Sequence, residues 1–526
     1  MTAATLAFGL APAAARARGA TNSANAAKTP AAKAPAAADA ADAKAVLEAA
    51  AASIGAAQLS SIQVAGRGAE YLFGQAYDGA SPWPRFNVPK YTLSIDYTTS
   101  ALRDERIRQQ GQNPPLGGGN QPLVGEQRQV WALSGGRAWN VTGQNAAPAG
   151  RERDGRTAAD GRQTQIWLTP HGFIKAALAA QPAATARTET IRGAKKTIIA
   201  FTATTPASTR VKLEGVIDAR HLVERIETWV GSPVLGDTLF EAVFQDYQDF
   251  GGVQFPAHVT QREGGYPVLD LTITAVTPNA PVVIDVPPTI AQAKPPAPFV
   301  ITPQQLSDGV WSIPLGPRDR SVAIEFTDYI LVVEAPESEA ISIPAIDAIK
   351  TLFPKKPIAY IVNTHTHFDH AGGLRTYAAE GAVVVTHAGN VPYFQQAWAN
   401  PRTIDPDRLA KSGRAARFEG VTGSRTFSDG ARQAVVYHYA GNLHNPGLLM
   451  VYLPKEKIVI EADSYNPPNN PDEPPNAVPN LVQWQEAVER LKLDIEQIVP
   501  VHGRLATYDE ALKAIGAYKD QQLWPH

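Results

Sequence analysis

The chain has 526 residues, too many for one ordinary hydrophobic core, so two or three domains are expected. Its 48 basic and 50 acidic residues leave a net charge of −2, which gives no electrostatic footprint for nucleic acid or an acidic membrane. Cysteine is absent, which removes disulfides, thiolate metal ligands and a cysteine nucleophile; any metal must be held through nitrogen and oxygen.

From the front, residues 1–43 read as a signal-like segment followed by an Ala/Pro-rich spacer. An apolar run at 6–15 ends in Ala15-Arg16-Ala17, a small-x-small sequence of the kind signal peptidase accepts, although no Lys or Arg precedes it. Residues 20–41 read as unstructured spacer. Export to the periplasm or beyond is therefore expected. No other run approaches the roughly 18 apolar residues of a membrane span, so a soluble mature protein is expected.

Residues 44–280 open with a helix at 44–57 and continue as strand-like runs at 91–97, 129–133, 165–168, 196–203, 211–217, 222–230, 239–244 and 269–276. Gly, Pro, Asp or Asn separates them, which predicts an antiparallel, open-barrel-like meander. Residues 109–125 and 146–161 read as long surface loops. The stretch 244–258, Phe-Gln-Asp-Tyr-Gln-Asp-Phe-Gly-Gly-Val-Gln-Phe-Pro-Ala-His, resembles the strand-turn-strand of periplasmic lipoprotein-carrier domains of the LolA and LppX type. That resemblance implies a curved sheet holding a hydrophobic ligand. Trp131, Trp139 and Trp167 are candidates to line such a cavity, although aromatics in strands are core residues by default. His171, His221 and His258 lack carboxylate partners at ligand spacing and are expected to be structural.

Residues 281–303, with Pro287-Pro288 and Pro295-Pro296-Ala297-Pro298, read as a stiff, extended connector marking a domain boundary. From 304 to 526 the texture changes. Strands at 310–313, 321–326 and 329–334, a helix at 341–352 and a strand at 358–362 predict a layered domain in which strand and helix alternate. Further on come a strand at 382–386, a helix at 390–399 and a polar insertion at 400–430. A strand at 433–439, the hairpin 448–453 and 457–462, a helix carrying Leu481, Trp484, Val488 and Leu491, a strand at 497–501 and a helix at 509–521 complete the chain.

The densest chemistry lies at 364–373, Thr-His-Thr-His-Phe-Asp-His-Ala-Gly-Gly, between the strand 358–362 and a helix starting near 374. A strand-to-helix loop can converge side chains on one point, so His365, His367, Asp369 and His370 read as a metal-binding wall, with zinc favoured by His/Asp ligation. His444, Asp463 and His502 each follow a strand as well. Seven such side chains are too many for one tetrahedral zinc and suit two metals a few Å apart. His387 and His438 lie in or beside strands and are expected to be structural. Asn442, Asn445, Tyr465 and Asn466 are candidate donors to a developing oxyanion, and the six-proline stretch 467–479 is a candidate rim of the cleft.

His365-x-His367-x-Asp369-His370, then His444, Asp463 and His502 in order, resembles the metallo-β-lactamase superfamily over about 306–526. The resemblance implies a four-layer αββα sandwich, so the whole chain is α+β, with the site between the two sheets. It implies two divalent ions, zinc first and iron or manganese as alternatives. His365, His367 and His444 would hold one and Asp369, His370 and His502 the other, with Asp463 bridging and Asp369 orienting a shared hydroxide. The implied activity is hydrolysis of an ester, lactone, thioester or amide-like bond of a small molecule. Dedicated β-lactamases of this superfamily carry Cys or Ser where Asp463 stands, and flavodiiron members carry an acidic residue where His367 stands. β-Lactamase-type activity, mononuclear iron dioxygenase activity and a non-catalytic periplasmic ligand-binding or carrier protein are the alternative readings.

Overall fold

The computed structural model describes residues 39–119, 121–150, 156–294, 300–316, 319–470 and 479–520. The export segment, nearly all of the spacer, Pro295 to Pro298 of the connector and residues 471–478 of the proline-rich stretch lie outside the described residues.

Between Ser61 and Pro278 the described strands form one thirteen-stranded antiparallel sheet. Strand Ser61–Tyr71 pairs with its successor Arg85–Asp96 on one side and with the last strand, Tyr266–Pro278, on the other. The meander therefore runs outward from a central pair, and the sheet stays open because its edge strands, Asn145–Pro148 and Thr185–Ile191, do not meet. Alternation of side chains explains the geometry: the first nine residues of Gly236–Asp249 are alternately buried and half-buried, as a strand with one covered face requires. Helices Asp39–Ser53 and Pro170–Ala179 cover part of that face, where Leu47, Ile54, Phe173 and Ile174 pack on Leu213, Ile226 and Phe240. Gly215 permits this packing, since a Cβ there would lie 2.2 Å from the Phe173 ring.

Several expectations change here. Residues 165–168, expected as a strand, end the helix Ala158–Trp167 and pass into its cap. Thr157 caps that helix by accepting from Asp160 N, and Thr169 caps the next with Pro170 at its first position. The 146–161 stretch is thus part strand and part helix rather than one surface loop. His171 is buried in a helix, not in the sheet, with Nε2 3.0 Å from Ile54 O; burial draws its pKa down to about 4. His258 does have a carboxylate partner, Asp270 Oδ1 at 2.7 Å, supplied by the neighbouring strand and therefore invisible to local spacing. Trp131 lines a cavity of about 270 Å³ with Glu70, Arg106 and Phe240. Trp139 packs instead on Ala132 and Ile290, and Trp167 against the helical core. Within the described part of the connector, a short helix, Pro288–Ala291, docks Ile290 against Ala132 and Trp139.

The second region is the expected four-layer αββα sandwich. A seven-stranded sheet runs from Gln304–Ser307 to Arg417–Val421 and a six-stranded sheet from Ser424–Ser428 to Ala506–Thr507. Strands Ile330–Val333 and Ile458–Glu461 are buried along their whole length, as strands covered on both faces must be. Val322, Leu331, Val362, Val436, Val451 and Val499 fill the space between the sheets. Helices Glu339–Leu352 and Leu374–Glu380 cover one outer face, and Pro479–Leu491 with Tyr508–Asp520 the other. The 400–430 stretch is more than a polar insertion, for it supplies the edge strands Arg417–Val421 and Ser424–Ser428.

The two regions share a core. Phe73, Trp83 and Val234 from the first pack with Ile313, Phe368, Leu374 and Phe394 of the second. Arg402 donates to the carbonyls of Ser232, Pro233 and Val234, and Asp237 accepts from Thr403 N. No helix among the described residues is long and apolar enough to cross a membrane.

Candidate metal centre

Parallel pairing sets the site. Strands Ile330–Val333, Ile358–Val362 and Val383–His387 run parallel, as do Ile458–Glu461 and Gln497–Pro500, so the C-terminal ends within each group share one edge. Glu334 and the 364–370 loop emerge from the first sheet there, and Asp463 and His502 from the second. Leu449 N donates to Thr364 O (2.9 Å) and Arg320 N to Val501 O (3.1 Å), tying the two sheets together at that edge.

All seven candidate ligands converge. His365, His367, His444 and Asp463 form one group with ligand atoms within 4.8 Å of one another, and Asp369, His370 and His502 form a second. Asp463 lies between them: Oδ2 is 3.3 Å from His365 Nε2, 3.1 Å from His444 Nε2 and 2.7 Å from His370 Nε2, while Oδ1 is 3.6 Å from His502 Nε2. Asp463 adopts φ 62° and Glu334 φ 70°, left-handed conformations that cost a non-glycine residue roughly 1–3 kcal/mol and cluster at functional sites.

Hydrogen bonding around the histidines tests whether a metal fits. His370 Nδ1 faces Glu334 Oε2 at 2.5 Å and His502 Nδ1 faces Asp319 Oδ1 at 2.7 Å, so both Nδ1 atoms carry the proton and donate. In the neutral rings each Nε2 is then a bare lone pair, and the two stand 3.0 Å apart. His365 Nε2 and His444 Nε2 are likewise 3.2 Å apart, close to the roughly 3.4 Å that bonds of about 2.1 Å to a tetrahedral ion impose on neighbouring ligands. His367 Nε2 donates to Ala76 O at 2.9 Å, which leaves Nδ1 unprotonated, buried and without a hydrogen-bond partner among the described residues. Facing lone pairs and an orphaned buried nitrogen fit a bound cation. Carboxylates behind the histidines fix the ring tautomers as metal sites do.

The charge balance points the same way. Burial, then His370, holds His365 down to about 3, and burial, then His365, holds His367 well below the imidazole range. His370 and His502 are raised: burial opposes their charge, but Asp463 foremost, with Glu334 and Asp319 respectively, outweighs it. The carboxylates thus demand positive charge here, which a proton or a metal ion can meet. Asp463 itself is held well below the carboxylate range, the surrounding histidines overcoming its burial.

Several residues here escaped the sequence reading. Glu334 accepts from Thr364 N (2.6 Å) as well as from His370, and Asp319 braces His502. Glu461 is fully buried, accepts from Ser464 N and Tyr465 N, and so shapes the turn that presents Asp463; burial and Asp463 push it up to about 8. The loop 109–125 is not simply a surface loop, because Gly117 N donates to Leu443 O (2.9 Å) and Gly118 lies against His367. Asn445 is a brace, its Nδ2 donating to Thr366 Oγ1 and its Oδ1 accepting from Gly447 N. Asn442 Oδ1 accepts from His444 N and Asn445 N, while its buried Nδ2 and the buried Asn466 Oδ1 have no hydrogen-bond partner among the described residues. Tyr465 is buried in the helical core. The His387 and His438 rings lie 4.2 Å apart, tilted by 39°, and belong to neither group.

Residues 337–502 match the family model described as the metallo-beta-lactamase superfamily. The alpha subunit of 2,4-dinitroanisole O-demethylase from Nocardioides sp. (strain JS1661) is 26% identical over 211 residues, 38% of this chain and 57% of that relative, so the likeness spans less than two thirds of its length. Among solved structures, a metallo-beta-lactamase from Pontibacter korlensis is similar at 18% identity over 42% of this chain and 100% of that one, with a TM-score of 0.32. Rubredoxin oxygen:oxidoreductase from Desulfovibrio gigas is similar at 18% identity over 42% of this chain and 61% of that one, with a TM-score of 0.34. These matches do not confirm the lipoprotein-carrier resemblance of residues 244–258.

Proposed function

We propose, with the superfamily match over residues 337–502 as premise, that the chain is a metal-dependent hydrolase holding two divalent ions. Its bond would be an ester, lactone, thioester or amide-like linkage of a small molecule. The observation that carries this reading is the position of Asp463, one carboxylate within 3.6 Å of nitrogens from both ligand groups. His365, His367 and His444 would hold one ion and Asp369, His370 and His502 the other, with Asp463 shared between them. Zinc suits this nitrogen and oxygen set, as do iron and manganese.

When bound, two such ions supply an acidified water as nucleophile and polarise the substrate oxygen. The remaining work belongs to side chains. Asp369, the more exposed of the two carboxylates among the seven at 25% of its side chain, would accept a proton from the attacking water and hold its direction. Asp463 neutralises charge between the two groups. Asn442 Nδ2, which has no hydrogen-bond partner among the described residues, would be a donor to a developing oxyanion.

A second reading rests on the relative named as a 2,4-dinitroanisole O-demethylase subunit: water would instead cleave the C–O bond of an activated aryl ether, releasing an alcohol and a phenol. Turnover of lactones, thioesters, aryl esters, β-lactams and 2,4-dinitroanisole, each with and without a chelator, tests both. Chelator-sensitive hydrolysis of the acyl substrates supports the first reading and of the ether alone the second; two bound ions with no turnover would favour a carrier. Export, read from residues 6–17, belongs to the same proposal and is checked by cell fractionation.

A further inference from the structure

Two segments of the N-terminal sheet reach the metal centre. Between strands Ser61–Tyr71 and Arg85–Asp96 the chain lays Gly74, Gln75 and Ala76 along the histidine motif. Phe368 N donates to Gly74 O at 3.0 Å, His367 Nε2 to Ala76 O at 2.9 Å, and Gln75 Nε2 to Asp369 Oδ1 at 2.8 Å. Gly74, at φ +79°, has to be glycine for this approach, since a Cβ would lie 2.6 Å from the Phe368 ring. The second segment follows strand Ala101–Gln110 and brings Gly118, whose N donates to Gln75 O at 3.0 Å. A Cβ on Gly118 would lie 1.9 Å from Gln75 Oε1 and 2.9 Å from His367 Cε1. Gln75 is 3% exposed, held by its backbone on both sides and with its carboxamide in a slot that a glycine leaves open.

Against a carboxylate, only the NH2 end of the carboxamide can donate. The bond to Oδ1 turns Asp369 so that Oδ2 is the oxygen towards His502, at 3.9 Å. His370 and His502 are braced by Glu334 and Asp319 from the sandwich itself, whereas Asp369 draws this support from the other region. A neutral amide also orients Asp369 without adding charge to a centre that already gathers Asp463, Glu334 and Asp319.

We propose that Gln75 is a positioning residue for Asp369, so that the N-terminal sheet completes the second ligand group, Asp369, His370 and His502. The proposal rests on the two-ion reading above. It makes the first region part of the working site rather than an appended module.

The test uses the full chain, stripped of metal and titrated with Co(II) against a competing chelator, with the visible spectrum following each equivalent. Gln75→Ala and the isosteric Gln75→Glu are compared with wild type, and thermal melting verifies folding. Outer supports of this kind change metal affinity by about 10- to 100-fold, so the second ion should bind that much more weakly in both variants. The spectrum of the second equivalent should change and the first should not. Wild-type affinity for both ions in folded Gln75→Glu would overturn the proposal, as would equal weakening of both. Fewer than two ions in the wild type would show that the two-ion reading has failed, before any variant is measured.

Discussion

The two regions bury charge in opposite ways. In the N-terminal sheet Arg106 Nη1 meets Glu70 at 2.8 Å and its Nη2 meets Asp104 at 2.6 Å, while Arg108 Nη1 meets Glu70 at 3.2 Å. Each buried cation there faces an anion, so the cluster balances itself, and removing one partner would strand the other. At the sandwich edge, imidazole nitrogens face imidazole nitrogens at 3.0 and 3.2 Å, and the closer pair, His370 and His502, has carboxylates behind it. That arrangement is balanced only when positive charge enters from outside. The contrast separates a structural ionic cluster from a site built to take a cation.

The contrast breaks most sharply at the ligands. His367→Ala should lose metal and turnover together, to background, while leaving the Arg106 cluster and the fold intact; metal content by elemental analysis alongside activity reads this. Next comes Glu334→Gln, which keeps shape but weakens the brace on His370 and Thr364 N. It should lower metal affinity or turnover by about 10- to 100-fold, and unchanged values would mean that the carboxylate only fills space.

A smaller effect belongs to the N-terminal region and depends on pH instead of metal. His171 is buried at about pKa 4, whereas an unfolded histidine titrates near 6.5. Between those values the unfolded chain binds a proton that the folded chain does not, so stability falls as pH drops from about 6.5 to about 4. The full loss is about 3 kcal/mol. Denaturant melts of metal-stripped protein across that window should show a shallower slope for His171→Gln than for wild type, and identical slopes would exclude His171 as the cause. The smallest effect is expected at His258→Ala. The His258–Asp270 pair is partly exposed and contributes under about 1 kcal/mol, so metal content and turnover should match wild type.

Much of the sandwich was legible because its strands are apolar runs with ligands at their ends. His365, Asp463 and His502 each follow such a run, and the structure brings them to one edge. Glu334 and Asp319 were not legible: a single acid beside a strand looks like surface until the parallel register of Ile330–Val333 with Ile358–Val362 places it behind His370. Gln75 was hidden further, because its partner Asp369 lies 294 residues away and nothing in a Gly-Gln-Ala turn announces a carboxylate. In the N-terminal half the alternation predicted the sheet, but the helix Ala158–Trp167 was missed. Its caps, Thr157 with Asp160 and Thr169 with Pro170, were the available signal, because alternation over only four residues, 165–168, does not separate strand from helix.

On the reading proposed above, seven side chains hold two ions and turnover requires both. Titration of the stripped full chain with zinc, following hydrolysis of an aryl ester or lactone substrate, tests it most directly. Activity should rise until two equivalents per chain are bound and should be abolished by chelator. Activity complete at one equivalent, or turnover that survives removal of all metal, would contradict it.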